Sequence, residues 1–385
     1  MPQATLLRLC ELQLKRLASE GRQVTSYGLY IKRHKRLLAL LKDYSLDALL
    51  VKKKQNIHYL TGSKGEDSIL IVSSKKPILI TDSRYKEEYS KNPSLYTVKT
   101  RETSSIYKLA QSSFIKNKWK AIAFESDSFS VSEFLALKKG VKNINFIPKQ
   151  GLVQSLRMIK DKDEIKIIKK ACKDGAHIMS HALRCPKPGM TEERIKAMIE
   201  SYMAKMKIKK AGFDIIIASG RNSSMPHASV TKRILRKKDM FLIDLGTLYK
   251  GYNSDLTRAR YLGRIDRKYL KLYNIVLDAQ LKAIEAIKPG IKANILDKIS
   301  RNYISYRGLG KYFVHSLGHG IGLETHELPR ISHNSNDILE EGMVITIEPG
   351  IYIPGWGGIR IEDDILVTNK GREVLTKGVQ KKLCK

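Results

Sequence analysis

Four acidic residues stand inside apolar stretches of the sequence that have the pattern of β-strands. Asp244 lies in FLIDLGTLY and Asp255 follows it across the turn residues KGYNS, so we expect the two carboxylates on adjoining strands. Glu348 in GMVITIEPG and Glu362 in IRIEDDILV repeat the arrangement nearer the C-terminus. A carboxylate on the apolar face of a sheet is costly unless a cation or a charged partner neutralises it. The pattern therefore predicts either a cation site or a set of buried ion pairs.

The metal site is the better of these two interpretations. Arg258 and Arg360 are nearby candidates for ion pairs. Carboxylates in matched positions, joined by a glycine-flanked His319, nevertheless make a poor set of independent ion pairs and a good ligand set for two divalent ions. An oxygen-rich set of this kind suits Mn²⁺ or Co²⁺ and accepts Zn²⁺ or Fe²⁺. Two ions that share bridging carboxylates lie about 3.5–4 Å apart and can hold one hydroxide in common. We therefore predict two divalent ions per chain, with Mn²⁺ as the expected metal.

Histidines are concentrated in residues 315–327, HSLGHGIGLETHE, which hold three of the nine histidines of the chain. The segment is too rich in glycine for a steady helix, so one interpretation is a turn-rich loop with incidental histidines. The other is a site that needs several neutral imidazoles close together. The four carboxylates favour the second interpretation. In it His319 binds the metals, whereas His315 and His326 support the metal ligands or contact the substrate.

The elements that must position these residues occur twice after about Met158. In the first copy we predict a helix over residues 160–185, a second helix that begins at Thr191, and strands in DIIIASG, DMFLIDLGTLY and SDLTRARYLG. In the second copy we predict helices over about 266–288 and within PGIKANILDKISRNYISYRG, then strands in GMVITIEPGIYI and IRIEDDILVT. The repetition of helix, helix and hairpin predicts an α+β catalytic domain, residues 158–385, with pseudo-twofold symmetry around a curved antiparallel sheet.

The preceding part of the chain, residues 30–157, alternates short strands with helices. RHKRLLALLKDY has the pattern of a basic amphipathic helix, and strands are expected in LDALLV, SILIVSS, PILITD, KAIAFES and INFIP. This predicts an α/β N-terminal domain, and it holds neither a glycine-rich phosphate loop nor a histidine–carboxylate cluster. Residues 1–29 are expected to form an extension of unknown role. They do not resemble a secretory signal, although their basic character leaves organelle targeting open.

Composition bounds the remaining classes of function. Lysine and arginine total 71 against 38 acidic residues, which gives a net charge of +33 in 385 residues. Such an excess attracts polyanions, but the lysines are dispersed without a dense tail, so nucleic acid is not the expected partner. No apolar run is long enough to span a bilayer, so no membrane association is expected. The four cysteines form no CxxC pair, which fits a cytoplasmic protein.

A second group of possible ligands lies on one face of the first long helix. His177, His181 and Cys185 are spaced by four residues, a spacing that can bind a metal. No carboxylate completes the set. We therefore expect an ordinary packed or surface helix face.

Long segments of the chain resemble the pita-bread-fold metallopeptidases. FDIIIASGRNSSMPHAS, LIDLGTLYKGYNSDLTR, HSLGHGIGLETHELPRIS and GMVITIEPGIYIPGWGGIRIEDDILV are most similar to the aminopeptidase P and prolidase branch, which acts on Xaa-Pro bonds. LDALLVKKKQNIHYLTG and PILITDSRYKEEY resemble the creatinase-like N-terminal domain of that branch. The resemblance covers about residues 30–370. It implies a hydrolase that takes proline-containing peptides.

The resemblance also implies a role for each site residue. It makes Asp255 and Glu362 bridging ligands and Asp244 a ligand of one ion, with His319 and Glu348 ligands of the other. The remaining implied roles are proton transfer by Glu348, stabilisation of the tetrahedral intermediate by His326, a wall of the substrate pocket formed by His227 and His315, and substrate binding by Arg330 and Arg360. For Arg360, support of Glu362 from outside the metal site is the alternative role, and for His315 a structural hydrogen bond.

Three alternatives remain at this stage. Methionine aminopeptidases share the five ligands and the GHGIG string, but that family is usually single-domain, whereas this chain has a matched N-terminal domain. A non-catalytic binding module for peptide or nucleic acid would use the same fold, but such proteins typically lose the ligand carboxylates. Dipeptidase and aminopeptidase activity are not separated by the sequence. Many relatives dimerise, so a homodimer is expected.

Overall fold

The computed structural model describes residues 24–91, 95–101, 105–208 and 210–383. Most of the predicted N-terminal extension therefore lies outside the described residues. Helix α1 (Val24–Asp43) begins before the boundary that we drew between residues 29 and 30, so that boundary falls inside a helix. The chain divides into two compact units, one ending at Arg157 and the other beginning at Met158.

The first unit is built on a mixed six-stranded sheet. Its strands are β1 (Ala48–Val51), β2 (Ile69–Ser73), β3 (Ile78–Asp82), β4 (Thr97–Arg101), β5 (Ala121–Glu125) and β6 (Asn145–Lys149), in the spatial order β4-β3-β2-β1-β5-β6. After α1, its helices are α2 (Lys54–Thr61), α3 (Lys86–Tyr89), α4 (Ile106–Asn117), α5 (Val131–Lys138) and α6 (Leu152–Met158). The pattern of apolar runs predicts all of these strands except β4, and it misses α2, α4 and α6.

The core of this unit explains why its strands read as apolar runs. Every residue of β1 and β2 is buried. Leu50 and Ile122 pack in one cluster with Ala110 and Phe114 of α4, so the face of the sheet that carries them is covered by a helix. A strand covered on both faces is apolar at successive positions rather than at alternate ones.

The second unit contains two successive sets of two helices and an antiparallel sheet. The first set is α7 (Lys162–Ala182), α8 (Glu192–Lys205), β7 (Ile216–Ser219), β8 (Met240–Leu245), β9 (Leu248–Tyr249), β10 (Tyr252–Asn253) and β11 (Leu256–Tyr261). The second set is α9 (Arg267–Ala286), α10 (Ala293–Ser305), β12 (Gly318–Gly320), β13 (Glu327–Ile331), β14 (Val344–Ile347), β15 (Gly350–Ile353), β16 (Gly357–Arg360), β17 (Asp363–Thr368) and β18 (Gly371–Val374). The strands pair in the orders β11-β8-β7, β13-β12-β14-β17-β18, β15-β16 and β10-β9.

Local hydrogen bonds explain where the helices of the first set begin. Asp161 accepts from the backbone N–H groups of Asp163 and Glu164 at the start of α7. Thr191 accepts from the N–H of Arg194, at 3.1 Å, at the start of α8. A side-chain oxygen at this position satisfies an N–H that the helix itself leaves unpaired. The N-terminus that the sequence predicts at Thr191 is confirmed.

The two long strands predicted around the glutamates are each broken in two. β14 pairs with β17 and β15 pairs with β16, so residues 348–349 and 361–362 form opposing gaps in the ladder. Pro349 has no N–H to donate to a ladder, which explains the first gap. Our prediction that Glu348 and Glu362 lie within adjoining strands is therefore wrong, because both stand in the gaps.

Candidate active site

The first half of the second unit supplies two buried aspartates. Asp244 lies in β8 and pairs in register with Thr257 of β11. Asp255 directly precedes β11, so our prediction that it lies on an adjoining strand is wrong, and the residue is 5% exposed. The hydroxyl of Thr257 donates to Oε2 of Glu362 at 2.6 Å, and the N–H of Glu362 donates to the carbonyl oxygen of Thr257 at 3.2 Å. Thr257 therefore connects the aspartate-bearing half to a glutamate of the other half.

Asp255, His319 and Glu362 form the centre of the candidate site. One ligand atom from each lies within 4.8 Å of the others. Nε2 of His319 is 3.8 Å from Oδ2 of Asp255 and 3.3 Å from Oε1 of Glu348. Oδ1 of Asp244 and Oδ1 of Asp255 are buried and have no hydrogen-bond partner among the described residues. Buried carboxylate oxygens without donors fit a hard divalent cation.

Arg360 holds Asp244 from outside this centre. Its guanidinium group donates to Oδ2 of Asp244, to the hydroxyls of Thr257 at 3.1 Å and Tyr352 at 2.7 Å, and to the carbonyl oxygen of Pro226 at 3.0 Å. The residue is 3% exposed. Because these protein oxygens already engage the buried group, the geometry disfavours the substrate-binding role that we assigned to Arg360 and favours its alternative role of supporting the ligands.

The ionisation of the centre divides its acids into two kinds. Burial raises the pKa of Asp255 and of Glu362 well above their ordinary values, and neighbouring carboxylates, including Asp244, raise them further. Burial would also raise the pKa of Glu348, but the hydrogen bond from His319 and its charge lower that pKa to about 2. Burial would lower the pKa of His319, but Glu348 outweighs it and the pKa is raised. Glu348 and His319 compensate each other's charge, whereas a bound cation would favour the ionised forms of Asp255 and Glu362.

The glycines around His319 allow its backbone to pass close to neighbouring strands. A Cβ on Gly318 would collide with the carbonyl oxygen of Thr346, and one on Gly320 with that of Leu328. Nδ1 of His319 lies 3.1 Å from the carbonyl oxygen of Gly320. When Nδ1 carries the proton and donates this bond, Nε2 is left bare and points at the carboxylates. The glycine-rich pattern thus has a steric reason.

The other two histidines of the segment have different environments. The ring of His326 is exposed and packs edge-on against His319, with 4.3 Å between ring centroids. Partial desolvation and then the charge of His319 lower the pKa of His326, so its imidazole is neutral near pH 7. His315 lies with Nδ1 2.8 Å from the carbonyl oxygen of Ser316 and Nε2 3.0 Å from the hydroxyl of Tyr352. Because both its nitrogens contact protein oxygens, the geometry favours the structural alternative for His315.

His227 lies on an exposed loop held at both ends by Glu192. The fully buried carboxylate of Glu192 accepts from the N–H and hydroxyl of Ser219 at 2.8 and 2.7 Å. It also accepts from the N–H and hydroxyl of Thr231 at 3.0 and 2.6 Å. The carbonyl oxygen of Pro226, next to His227, accepts the bond from Arg360 described above. The loop is therefore attached both to α8 and to the arginine that holds Asp244.

Arg330 lies directly across a strand pair from His319. The two residues face each other in the antiparallel register of β12 and β13, and paired residues project to the same face of a sheet. Arg330 is exposed, and its backbone N–H donates to Asp337 at 3.2 Å. Arg330 is therefore an exposed residue on the same face of the sheet as His319, and its role in substrate binding stays a prediction.

Several residues of the site were not predicted from the sequence. Asp364 accepts from the N–H of Asp255 at 2.9 Å and from the thiol of Cys172 at 3.2 Å, and burial raises its pKa to about 7. The run EDD at 362–364 was visible as a signal, but nothing in it separates the three acids. Thr257 and Tyr352 had no signal of their own, because their contacts join residues distant in sequence.

The helix face with His177, His181 and Cys185 does not belong to this site. Nε2 of His177 lies 2.9 Å from the hydroxyl of Tyr202, and the ring of His181 stacks on the same tyrosine with 3.6 Å between centroids. Cys185 is buried in the apolar core. α7 ends at Ala182, so our prediction that Cys185 lies on its face is wrong, whereas the packing of His177 and His181 against Tyr202 agrees with the ordinary helix face that we expected.

Comparisons with known proteins follow the same division of the chain. Residues 166–369 match the model of metallopeptidase family M24, and residues 33–159 match the creatinase/prolidase N-terminal domain. The Xaa-Pro dipeptidase of Pyrococcus furiosus is 39% identical over 351 residues, which is 90% of this chain and 98% of that protein. Among the described residues, no helix is long and apolar enough to cross a membrane.

Two solved structures are similar along almost their whole length. An Xaa-Pro dipeptidase from Bacillus anthracis is 38% identical with a TM-score of 0.87, covering 91% of this chain and 98% of that one. An X-Pro aminopeptidase from Thermotoga maritima is 34% identical with a TM-score of 0.81, covering 90% and 97%. These likenesses confirm the fold class and the resemblance drawn from the sequence.

Proposed function

This chain belongs to metallopeptidase family M24, and from that premise we propose that it is a metal-dependent exopeptidase that hydrolyses Xaa-Pro bonds. The observation that carries the proposal is the buried cluster of Asp255, His319 and Glu362, bordered by Asp244 and Glu348. The unpartnered carboxylate oxygens of Asp244 and Asp255 fit bound cations, and the family is one of metallopeptidases. The names of the relatives support the choice of bond.

We propose two divalent ions per chain, held by these five residues, with Mn²⁺ as the expected metal. The donor set is four carboxylates and one imidazole, which suits hard divalent cations. When bound, such ions supply an acidified water and polarisation of the scissile carbonyl.

Side chains at and around the centre carry out proton transfer, oxyanion stabilisation and substrate binding in this proposal. Glu348 accepts the proton of the attacking water and passes it to the leaving proline nitrogen. His326, neutral at pH 7, donates an N–H to the oxyanion that develops on the scissile carbonyl. His227 forms part of the pocket wall that admits the proline ring. The bond broken is a tertiary amide, so its nitrogen needs a proton and has none to donate.

Within the Xaa-Pro peptidases we propose a preference for dipeptides. The exposed Arg330 lies opposite His319 in the strand register, where its guanidinium can bind the C-terminal carboxylate of a dipeptide. A longer peptide carries its carboxylate further from the scissile bond and forgoes this contact. A homodimer and a cytoplasmic location complete the proposal. The resemblance to dimeric relatives supports the first, and the scattered cysteines, two of them buried as free thiols, support the second.

A substrate panel tests this function. Metal-stripped protein, restored with Mn²⁺, is assayed on Leu-Pro, Leu-Pro-Gly and Met-Ala under the same conditions. We expect Leu-Pro to be cleaved with the highest kcat/KM and Met-Ala with the lowest. Faster release of methionine from Met-Ala would contradict the proposed bond specificity, and faster cleavage of Leu-Pro-Gly would contradict the dipeptide preference alone.

A further inference from the structure

The C-terminal segment, residues 375–383, contacts residues that neighbour the candidate centre. Nζ of Lys381 lies 2.5 Å from Oδ2 of Asp363 and donates to Oε1 of Gln280 at 3.0 Å. The carbonyl oxygen of Val379 accepts from Arg258 at 3.4 Å, and that of Lys381 accepts from the hydroxyl of Tyr273. The segment is therefore attached to both halves of the second unit. It also lies beyond residue 369, where the match to the family model ends.

Lys381 ends in a polar cluster whose other members are completely buried. Asp363, Arg258 and Gln280 are each 0% exposed. Oδ1 of Asp363 accepts from Arg258 at 2.9 Å and from the hydroxyl of Thr376 at 2.8 Å, and Oδ2 accepts from Gln280 at 3.0 Å. Buried polar groups with this many partners specify one geometry, because any loosening leaves a group unpaired.

The cluster reaches the backbone at both gaps that carry the glutamates. Arg258 donates to the carbonyl oxygen of Glu362 and to that of Thr257, the latter at 3.0 Å. Gln280 donates to the carbonyl oxygen of Ile347, the residue before Glu348, at 3.1 Å. Carbonyl groups at a break in a sheet lose their ladder partners and must find others. Here the partners come from the cluster that Lys381 completes.

We propose that Lys381 is a positioning residue for the metal centre, acting through Asp363, Gln280 and Arg258 on the backbone of Glu362 and of Ile347, the residue before Glu348. The proposal rests on the proposed function only in taking these two glutamates as metal ligands. Lys381 touches neither glutamate carboxylate. Its effect is to hold the two gaps at the separation at which both carboxylates reach the same ions.

The affinity for Mn²⁺ measures this role directly. Lys381→Met keeps the length of the side chain and removes its charge and donors, and calorimetric titration of the metal-stripped full chain gives the dissociation constants. We expect Mn²⁺ to bind about tenfold more weakly, at the low end of what removing an outer support of a metal ligand costs. Lys382→Met, at the exposed neighbouring residue, should bind Mn²⁺ as the wild type does. Activity on Leu-Pro should fall at limiting Mn²⁺ and recover at saturating Mn²⁺.

The direction in which the affinity for Mn²⁺ changes distinguishes a positioning role of Lys381 from an effect of its charge alone. If Lys381 acted only through its charge, its removal would make the acidic centre more attractive to a cation, and Mn²⁺ would bind more tightly. Tighter or unchanged binding in Lys381→Met overturns the proposal. Should that variant fold poorly by circular dichroism, Lys381→Gln, which keeps a donor, and Lys381→Arg, which keeps the charge, provide the same test, with weaker binding in the first and near-normal binding in the second.

The wild-type measurements distinguish failure of this proposal from failure of the proposed function. A wild-type chain that binds Mn²⁺ and cleaves Leu-Pro, beside a Lys381→Met chain with the same affinity, overturns the role of Lys381 and leaves the function standing. A wild-type chain that binds Mn²⁺ but cleaves no Xaa-Pro peptide overturns the function, while weaker binding in the variant still supports the positioning role. A wild-type chain that binds no Mn²⁺ overturns both.

Discussion

Replacing one carboxylate of the candidate centre should stabilise the metal-free protein and destabilise the metal-bound protein. Asp255→Asn removes a charge and leaves the shape of the side chain almost unchanged. In the metal-free chain burial raises the pKa of Asp255, and the charges of Glu362, Asp244 and Asp364 raise it further. The wild-type chain carries the cost of this crowding because the same groups are the proposed ligands of the ions.

The distances allow an estimate of the size of the effect. Ligand oxygens of Asp255 and Glu362 lie within 4.8 Å of each other, and two like charges at that distance repel by about 3.5 kcal/mol at an effective dielectric constant of about 20. Protonation of one carboxyl already relieves part of this repulsion in the wild type. We therefore expect Asp255→Asn to raise the free energy of unfolding of the metal-free protein by about 1–3 kcal/mol.

The effect should depend on pH with a definite sign. The folded-state pKa of Asp255 lies above its value in the unfolded chain, so the penalty is absent at low pH and grows as the pH rises from the unfolded pKa to the folded pKa. Urea unfolding with a chelator present should show a larger gain for the variant at pH 8 than at pH 5. With Mn²⁺ added, the order should reverse, because the wild type gains binding free energy that the variant has lost.

Asp363→Asn is the matched control. It makes the same chemical change one position after Glu362, but Asp363 faces Arg258 and Lys381 rather than other acids. Removing one partner of a buried ion pair typically costs about 3–5 kcal/mol, so this variant should be destabilised. A metal-free Asp255→Asn protein that is no more stable than the wild type at pH 8 would refute the view that these acids are gathered against their own repulsion.

Further substitutions test the remaining roles. His326→Ala should lower kcat by about 10²- to 10³-fold with little change in KM, and its metal content by elemental analysis should be normal. His319→Ala should instead lose an ion together with activity. Loss of metal in His326→Ala with normal metal in His319→Ala would reverse the two assignments. Arg330→Ala should raise KM for Leu-Pro by roughly 10- to 100-fold, which corresponds to the loss of a charged hydrogen bond. KM for Leu-Pro amide, which lacks the carboxylate, should be nearly unchanged. An equal rise in KM for both substrates would contradict the proposed contact between Arg330 and the substrate carboxylate. Glu192→Gln should lower kcat/KM by about 10- to 100-fold, because it loosens the loop that carries His227. Glu193→Gln, at the exposed adjacent residue, should leave kcat/KM unchanged. Equal effects of the two substitutions would show that the hydrogen bonds of Glu192 to this loop have no catalytic role.

Residue types and spacing predict much of the site because buried charge is expensive. Asp244 and Asp255 interrupt apolar stretches of the sequence, so their positions in the sequence alone imply a neutralising partner. The start of α8 at Thr191 follows from a local hydrogen bond and is predicted in the same way. These inferences use only neighbours in sequence or the general cost of burial.

The sequence separates the acids at 362–364 much less well. Glu362 joins the candidate centre, Asp363 pairs with Arg258, and Asp364 accepts the N–H of Asp255. The partner of each acid depends on which distant strand packs against its side chain. The gap at Pro349 also places Glu348 and Glu362 outside the regular alternation of a strand, so period-2 reasoning could not give their direction.

The role of Arg360 illustrates the same limit. Its position two residues before a ligand made both substrate binding and ligand support reasonable. The choice depends on contacts with Asp244 and Tyr352, which require the sheets to be assembled. Long-range hydrogen bonds of this kind have no periodic signature in the chain.

Titration of activity with metal tests the central claim most directly. Chelator-treated protein is assayed on Leu-Pro while Mn²⁺ is added in known ratio to the chain, and bound metal is measured in the same samples. The proposed dinuclear site predicts negligible hydrolysis without metal and a rise in activity that ends near two bound ions per chain. Full hydrolysis of Leu-Pro by protein that holds no metal would contradict the account.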